Sequence, residues 1–275
     1  MIVTAYDGTD FSGFAAQKDP LVRTVEGELN KALFELTREE IHVIGASRTD
    51  AGVHALCNFA VFDTNSPIPP RNFAKALNSH LPKDLRVRQS KEVDPSFHPR
   101  AVRTIKTYEY RIYTARVEDP LKSRYYAYTW FNLDIQKMRQ GASYLVGEHD
   151  FASFCNPSRN YPSTVREILS IEIEETLCPV PDLMLSRSHT VAQQDEAKEI
   201  VIRVTGKGFL YNMVRIIAGT LMRVGRGLLQ PEDIPLILGK KDRQSAGETA
   251  DACGLCLVNY RILGASTDGK EIVDD

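Results

Sequence analysis

The sequence predicts an α+β fold built from two halves, each with the element order β-α-β-β-α-β and a mainly antiparallel sheet. Short runs in which apolar and polar residues alternate are typical of half-buried strands. Longer segments carry apolar residues every three to four positions, as amphipathic helices do. The same order of strands and helices occurs twice along the 275 residues without evident sequence repetition. Together these observations indicate two similarly built, RRM-like halves around a central cleft.

The first half begins with an apolar strand and continues with a helix that Thr24 is placed to cap. Two more strands follow the helix, and Pro69 and Pro70 precede a second helix. The predicted elements are a strand at 2–6, a helix at 24–36, strands at 41–47 and 55–63, a helix at 71–80 and a strand at 85–93.

The second half repeats this order, with Asp134 as a helix cap and Gly227 as a helix stop. We therefore expect a domain at 1–104, a second at 105–264, a polar tail at 265–275 and a ligand-binding cleft between the domains. The predicted elements are strands at 107–115, 168–177, 199–205 and 254–263, helices at 134–146 and 212–226, a short helix from Pro231 and an excursion at 178–198.

The composition, 43% hydrophobic and 25% charged, is that of an ordinary globular protein. No window approaches 18 consecutive apolar residues, and the N-terminus lacks a basic region followed by an apolar run, so neither a membrane span nor a secretion signal is expected. The five cysteines are an odd number without framework spacing, which favours a reducing, cytoplasmic location. Cys253 and Cys256 form a lone CxxC, which is insufficient for a zinc site.

The net charge of −2 hides strong segregation along the chain. Residues 98–124 carry seven bases and three acids, or +4, and residues 203–227 carry five bases and no acids, or +5. Residues 167–199 carry eight acids and two bases, or −6. This pattern permits a basic cleft for RNA on a near-neutral protein, although scattered solvated faces explain it equally well.

The octapeptide RTDAGVHA, residues 48–55, contains the leading candidate for chemistry. It places Asp50 between Arg48 and Gly52, directly after an apolar run, where a loop can present a reactive carboxylate. From spacing alone, an ordinary Asp-Ala-Gly turn is the favoured interpretation.

The identities of the residues go further, because the octapeptide resembles the signature of the TruA family of tRNA pseudouridine synthases. Phe14-Ala15-Ala16 departs from that family's usual tryptophan and glutamine. Further matches occur in order along nearly the whole chain: Tyr6-Asp7-Gly8-Thr9, Phe11, Gly13, Gln17, Thr24 to Gly27, Asn78, Leu81-Pro82, Asp84, Phe97-His98, Arg100, Lys106, Tyr108, Tyr110, Gly147, His149 to Phe151, Phe154, Phe209 to Arg215, Gly219 and Gly254-Leu255.

The resemblance implies a role for each matching residue. Asp50 corresponds to the catalytic nucleophile, Tyr108 to the tyrosine that stacks on the target uracil, and Arg215 to the arginine that pairs with the nucleophile. Arg48 corresponds to an arginine that holds the target nucleotide out of its stack, and Lys106 would flank the site. The implied substrate is uridine at positions 38, 39 and 40 of the tRNA anticodon stem-loop, and the implied assembly is a homodimer.

The chemistry of such a reaction fits the motif content of the chain. Isomerising uridine to pseudouridine oxidises nothing and releases nothing, so no cofactor is expected, and the sequence has no P-loop or nicotinamide-binding fingerprint. A metal hydrolase using His54 or His149-Asp150 is a weaker interpretation. Two rivals stay open: a non-catalytic RRM-like RNA-binding protein, whose aromatic RNP pattern is absent, and a glycosidase, which needs a second carboxylate.

Overall fold

The protein is described from a computed structural model that covers residues 1–19, 21–156, 161–178 and 197–263. It divides into two compact units, Met1–Thr107 together with the strand from Cys256, and Tyr108–Leu255. The division at 1–104 and 105–264 stays a prediction. Most of the 178–198 excursion and the 265–275 tail lie outside the described residues.

The first unit contains its predicted elements in the predicted order, and it also contains the strand that was predicted at 254–263 as the last of the second half. Its sheet runs β4-β1-β3, with β2 pairing β3 antiparallel and β10 joining β3 in parallel through Cys256 and His54. These elements are β1 (Ile2–Tyr6), α1 (Val25–Thr37), β2 (Ile44–Gly45), β3 (His54–Val61), α2 (Phe73–Leu77), β4 (Leu85–Ser90) and β10 (Leu255–Ile262).

Helix α1 follows the prediction closely. The Thr24 side chain accepts a hydrogen bond from the backbone N–H of Gly27 at 3.1 Å, which satisfies one of the free donors of the first turn. The apolar face is buried through Val25, Leu29, Ala32 and Leu33. A correct cap and an amphipathic face were therefore enough to place this helix.

Two elements of this unit fall furthest short of their predicted length. The strand expected at 41–47 is reduced to β2 because the N–H of Val43 donates to the Asn30 side chain at 2.9 Å rather than to a neighbouring strand. The helix expected at 71–80 is a 3₁₀ turn followed by α2, since Asn78 exchanges two hydrogen bonds, of 2.8 and 2.9 Å, with the backbone of Val87. In both cases an asparagine side chain replaces regular backbone pairing.

The second unit contains two strands that the periodicity did not predict, β6 and β7. Its strand order is β5-β9-β8-β7, and β6 pairs with β5 in parallel. The elements are β5 (Thr104–Thr114), β6 (Ala127–Thr129), α3 (Ile135–Ser143), β7 (Gly147–Asp150), β8 (Val165–Cys178), β9 (Ala197–Gly206), α4 (Met213–Gly225) and α5 (Asp233–Lys240).

Helix α4 provides much of the core of this unit, where ten of its residues are buried. Large buried side chains around it include Tyr110, Met138, Phe151 and Phe154. The fold is thus mixed α+β with mainly antiparallel strand pairing, as predicted. Within the described residues, none of the helices has the length and apolar character needed to cross a membrane.

Candidate active site

The loop that carries Asp50 connects β2 to β3. Asp50 is partly exposed, and Arg48 is exposed. Gly52 has φ of 77°, in the left-handed region that glycine adopts without strain. The N–H of Val53 donates to the carbonyl of Asp50 at 3.2 Å and closes the turn. The backbone therefore reverses within a few residues and leaves both charged side chains accessible.

This loop packs directly on the backbone of residues 8–14. A Cβ atom on Gly8 would lie 2.1 Å from the carbonyl oxygen of Val53, and one on Gly13 would lie 2.9 Å from that of Thr49. The N–H of Phe14 donates to the same Thr49 carbonyl at 3.1 Å. Only glycine permits such close backbone contact, so the two loops hold each other in place.

A buried network of polar side chains fixes the start of the loop. Asn58, fully buried on β3, donates to the carbonyl of Ser47 at 2.8 Å and to the hydroxyl of Tyr6 at 3.1 Å. The side-chain oxygen of Asn58 accepts from the N–H of Ser47 at 3.2 Å. The hydroxyls of Tyr6 and Thr49 lie 2.7 Å apart. The sequence analysis missed this support, although a polar residue inside the apolar run ALCNFAVF was a signal.

Lys106 reaches the same loop. Its ammonium lies 3.5 Å from the hydroxyl of Ser47 and 4.9 Å from the centre of the Tyr260 ring. Burial lowers the pKa of Lys106 to about 8, because the charged form loses hydration. Near neutral pH the side chain is therefore a cation that lacks part of its hydration. An anionic ligand would compensate for the hydration that burial removes.

Arg100 is a further basic residue that was not assigned to the site from the sequence. Its Nε donates to the carbonyl of Gly45 at 2.8 Å, at the end of β2 where the loop begins. Burial, and to a lesser extent repulsion by Arg48, lowers the pKa of Arg100. The like charges therefore stand close enough to repel each other, and an arginine is well suited to bind phosphate through its planar guanidinium. The matching Phe97-His98-x-Arg100 motif was the available signal.

The tyrosine and arginine predicted for the site lie in the second unit. The ring of Tyr108 is buried and stands edge-on to Phe209, with centroids 5.2 Å apart. Arg215 is partly buried in the first turn of α4. Its Nε donates to the carbonyl of Ala250 at 2.7 Å, and Nη1 donates to the side chain of Asn212 at 3.2 Å. Arg215 is thus a structurally fixed residue, and its pairing with Asp50 stays a prediction.

His54 and the aspartate next to His149 take structural positions. Nδ1 of His54 accepts the N–H of Gly8 at 2.9 Å, which ties β3 to the loop after β1. Asp150 forms an ion pair with Lys241 at 2.8 Å, and this contact and a hydrogen bond from Thr164 lower the pKa of the carboxyl. Within the described ranges, no group of three His, Cys, Asp or Glu side chains is arranged to hold a metal ion.

The charge segregation seen in the sequence is partly cancelled in the second unit. Arg203 forms ion pairs with Glu109, Glu172 and Glu174, and Lys207 pairs with Glu167 at 2.7 Å. The +5 segment is therefore not a uniform basic surface. The other cations of this segment are Arg215 and Arg223 on α4 and Arg226 directly after the helix.

Comparison with known proteins first defines the class. A sequence model of the tRNA pseudouridine synthases, which are isomerases, matches residues 2–100 and 142–261 of the chain. Relatives named tRNA pseudouridine synthase A are 42% identical over 93% of this chain and 96% of the relative in Brevibacillus brevis, and 39% identical over 94% and 97% in Caldicellulosiruptor bescii. A relative from Clostridium tetani named tRNA pseudouridine synthase A 2 is 42% identical over 92% of this chain and 94% of its own length.

These matches cover both units; Arg48, Asp50 and Arg215 lie within the family-model match, whereas Lys106 and Tyr108 lie between its two segments. The chain belongs to the TruA family of tRNA pseudouridine synthases. Membership in an enzyme family disfavours the interpretation as a non-catalytic RNA-binding protein.

Proposed function

We propose that this protein isomerises uridine to pseudouridine in tRNA, at positions 38, 39 and 40 of the anticodon stem-loop, with Asp50 as the nucleophile. The observation that carries the proposal is the geometry of the signature loop. Asp50 is accessible on a turn that glycines and a buried polar network hold rigid. A carboxylate held in this way needs no rearrangement before it attacks, which is how a preorganised site lowers a barrier.

The reaction breaks the bond between ribose C1′ and N1 of uracil, rotates the base, forms a bond from C1′ to C5 and removes the C5 proton. In our proposal the ionised Asp50 attacks either C1′ of the ribose or C6 of the uracil. An ester formed at C1′ breaks when C5 joins C1′, whereas a bond formed at C6 breaks after that step, as the C5 proton leaves. The proton from C5 passes to solvent and N1 of the detached uracil gains one, so the product is an isomer of the substrate. Tyr108 stacks on the uracil. Arg215 favours the ionised carboxylate by supplying a cation, as an arginine does for a nearby acid.

The basic residues around the loop have a separate role in this proposal. The target nucleotide must leave its stack, which costs a few kcal/mol that protein contacts have to offset. Arg48 holds the flipped nucleotide, and Lys106 contacts a phosphate or ribose beside the loop. The partial desolvation of Lys106 supports this assignment, because binding a phosphate relieves it.

Two structural expectations belong to the same proposal. We propose that each unit is one ferredoxin-like half, and that the protein acts as a homodimer, as the family resemblance implies. Equilibrium sedimentation of the purified protein tests the second expectation directly, since a monomer at micromolar concentration contradicts it.

The test uses purified protein and an unmodified tRNA transcript that carries tritium at uridine C5. Release of tritium measures turnover, and mapping of the product identifies the positions that react. Asp50→Asn is expected to bind tRNA and to release no tritium, whereas Asp19→Asn, an exposed acid of the same unit, should react like the unaltered protein. Substantial turnover by Asp50→Asn would remove Asp50 from the nucleophile role.

A further inference from the structure

The second unit contains a cavity of about 290 Å³ that the proposed mechanism does not use. It is lined by the residues that follow β6, by one side of α4 and by residues 248–251. Asp50 and Arg48 are not among the lining residues. The volume is larger than a water molecule needs and suits a single small planar group.

Tyr110 forms part of the wall of this cavity. Its side chain is fully buried, and the ring carbon that carries the hydroxyl lies against Gly254, where a Cβ atom would be 3.0 Å away. Gly254 does not line the cavity. Tyr110 therefore offers an occupant a fixed wall rather than a hydrogen bond.

Aromatic and cationic side chains form another part of the lining. Trp130 is 70% exposed, and its ring lies 4.6 Å from that of Phe131 at an interplanar angle of 37°. The guanidinium of Arg226 covers Phe131 at 3.6 Å, and Arg223 lies one turn earlier on α4. Exposed aromatic rings next to arginine are the usual platform for unstacked nucleobases, because every base has a face to stack.

Two carboxylates complete the set of polar groups. Glu248 and Asp251 line the cavity and are exposed. They accept hydrogen bonds from the amino and ring N–H groups of a base, whereas they repel an acidic peptide or a bare phosphate. The combination of stacking surface, donors, acceptors and two arginines matches a nucleotide, which carries both a base edge and a phosphate.

The loop that carries these carboxylates is fixed before any ligand binds. A Cβ atom on Gly219 of α4 would lie 2.1 Å from the carbonyl oxygen of Glu248, so helix and loop are in direct backbone contact. The N–H of Gly247 donates to the hydroxyl of Thr220 at 2.9 Å, and Arg243 donates to the carbonyl of Gly247 at 2.8 Å. A site built on such a loop loses little conformational entropy on binding.

We propose that this cavity binds one unstacked nucleotide of the RNA substrate, other than the uridine that reacts. The base stacks on Trp130 and meets the carboxylates, and the phosphate binds Arg223 and Arg226. This inference rests on the proposed function, because it takes RNA as the substrate.

Trp130 allows a direct test because it is the single tryptophan of the chain. We would titrate the purified protein with the four nucleoside 5′-monophosphates and with ribose 5-phosphate, and follow tryptophan emission. At least one nucleotide should change the emission with saturation at millimolar concentration, and ribose 5-phosphate should not. Arg226→Met should weaken that binding by about fivefold or more, whereas Lys137→Met, which removes an exposed cation outside the cavity, should not.

A second readout uses tRNA turnover. Trp130→Ala should raise KM for tRNA by about tenfold, the lower range for loss of a stacked base, and leave kcat within about twofold. Unchanged KM together with no saturable nucleotide signal would overturn the subsite while turnover continues. A change of sedimentation coefficient in Trp130→Ala would assign the surface to a second copy of the chain instead. Absence of turnover in the unaltered protein would refute the proposed function rather than the subsite.

Discussion

The lysine beside the signature loop makes the stability of this protein depend on pH in a distinctive way. In the unfolded chain Lys106 has the ordinary lysine pKa of about 10.4, whereas burial lowers it to about 8 in the folded protein. Between these values the unfolded chain binds more protons than the folded one. The free energy of unfolding therefore rises as the pH rises from about 8 to about 10.4. When the pH is lowered through the same range, Lys106 becomes charged and this gain is lost.

The size of the effect follows from the difference between the two pKa values. A separation of about 2.4 units corresponds to about 3 kcal/mol when the group is completely shielded from water. Lys106 is only partly buried, and the Tyr260 ring and the Ser47 hydroxyl contact its ammonium. Solvent screening reduces the expected contribution to about 1 to 2 kcal/mol.

Lys106→Met removes this titration while it keeps most of the side-chain volume. We would measure the free energy of unfolding in urea for both proteins between pH 7 and pH 10.5. The variant should be more stable near pH 7, and its advantage should shrink by about 1 to 2 kcal/mol as the pH rises. Lys83→Met, at an exposed position, is the matched control. A difference between Lys106→Met and the parent protein that stays constant over the range would refute the reasoning.

Three further outcomes are expected. Asn58→Ala removes three buried hydrogen bonds of the loop support and should lower the unfolding free energy by about 3 kcal/mol in urea, whereas the exposed Asn132→Ala should change it by less than about 0.5 kcal/mol. Tyr108→Phe should keep tRNA affinity in filter binding and slow single-turnover conversion, and equal rates would show that its hydroxyl takes no part. Arg215→Met should move the acidic limb of the single-turnover rate profile to higher pH, Arg215→Lys should rescue it partly, and superimposable profiles would remove the arginine from the site.

Local sequence patterns predicted much of the fold because they show which side chains are buried. Buried side chains recur at every second residue in a strand and at every three to four residues in a helix. Helix α1 was placed correctly from its cap and its apolar face. Strand β6 was missed because its three residues are too few to show an apolar period. Strand β7 was missed because the charged run Gly147–Asp150 carries no apolar period. Such strands exist because a neighbouring strand offers hydrogen bonds, which is a tertiary effect.

The candidate site shows the same contrast. Asp50 and Arg48 were identified because the octapeptide places them next to each other in the sequence. The hydrogen bonds that hold their loop join Tyr6 to residues 43 and 52 positions away, and no local pattern encodes such pairs. Charge counting along the chain could not show how residues 203–227 are paired for a related reason, since Arg203 and Lys207 meet acids from other strands.

The long hairpin of β8 and β9 allows the connection between the two strands to vary in length with little effect on the stability of the fold. Its antiparallel ladder extends to Cys178 and Ala197, the last partners in the register. Partners in such a ladder have Cα atoms about 5 Å apart, so whatever joins them begins and ends at almost the same point. Doubling the length of a connection between fixed ends costs only about 0.6 kcal/mol. The connection between Cys178 and Ala197 is accordingly a position at which an added peptide tag or a whole inserted domain is expected to leave the ladder intact.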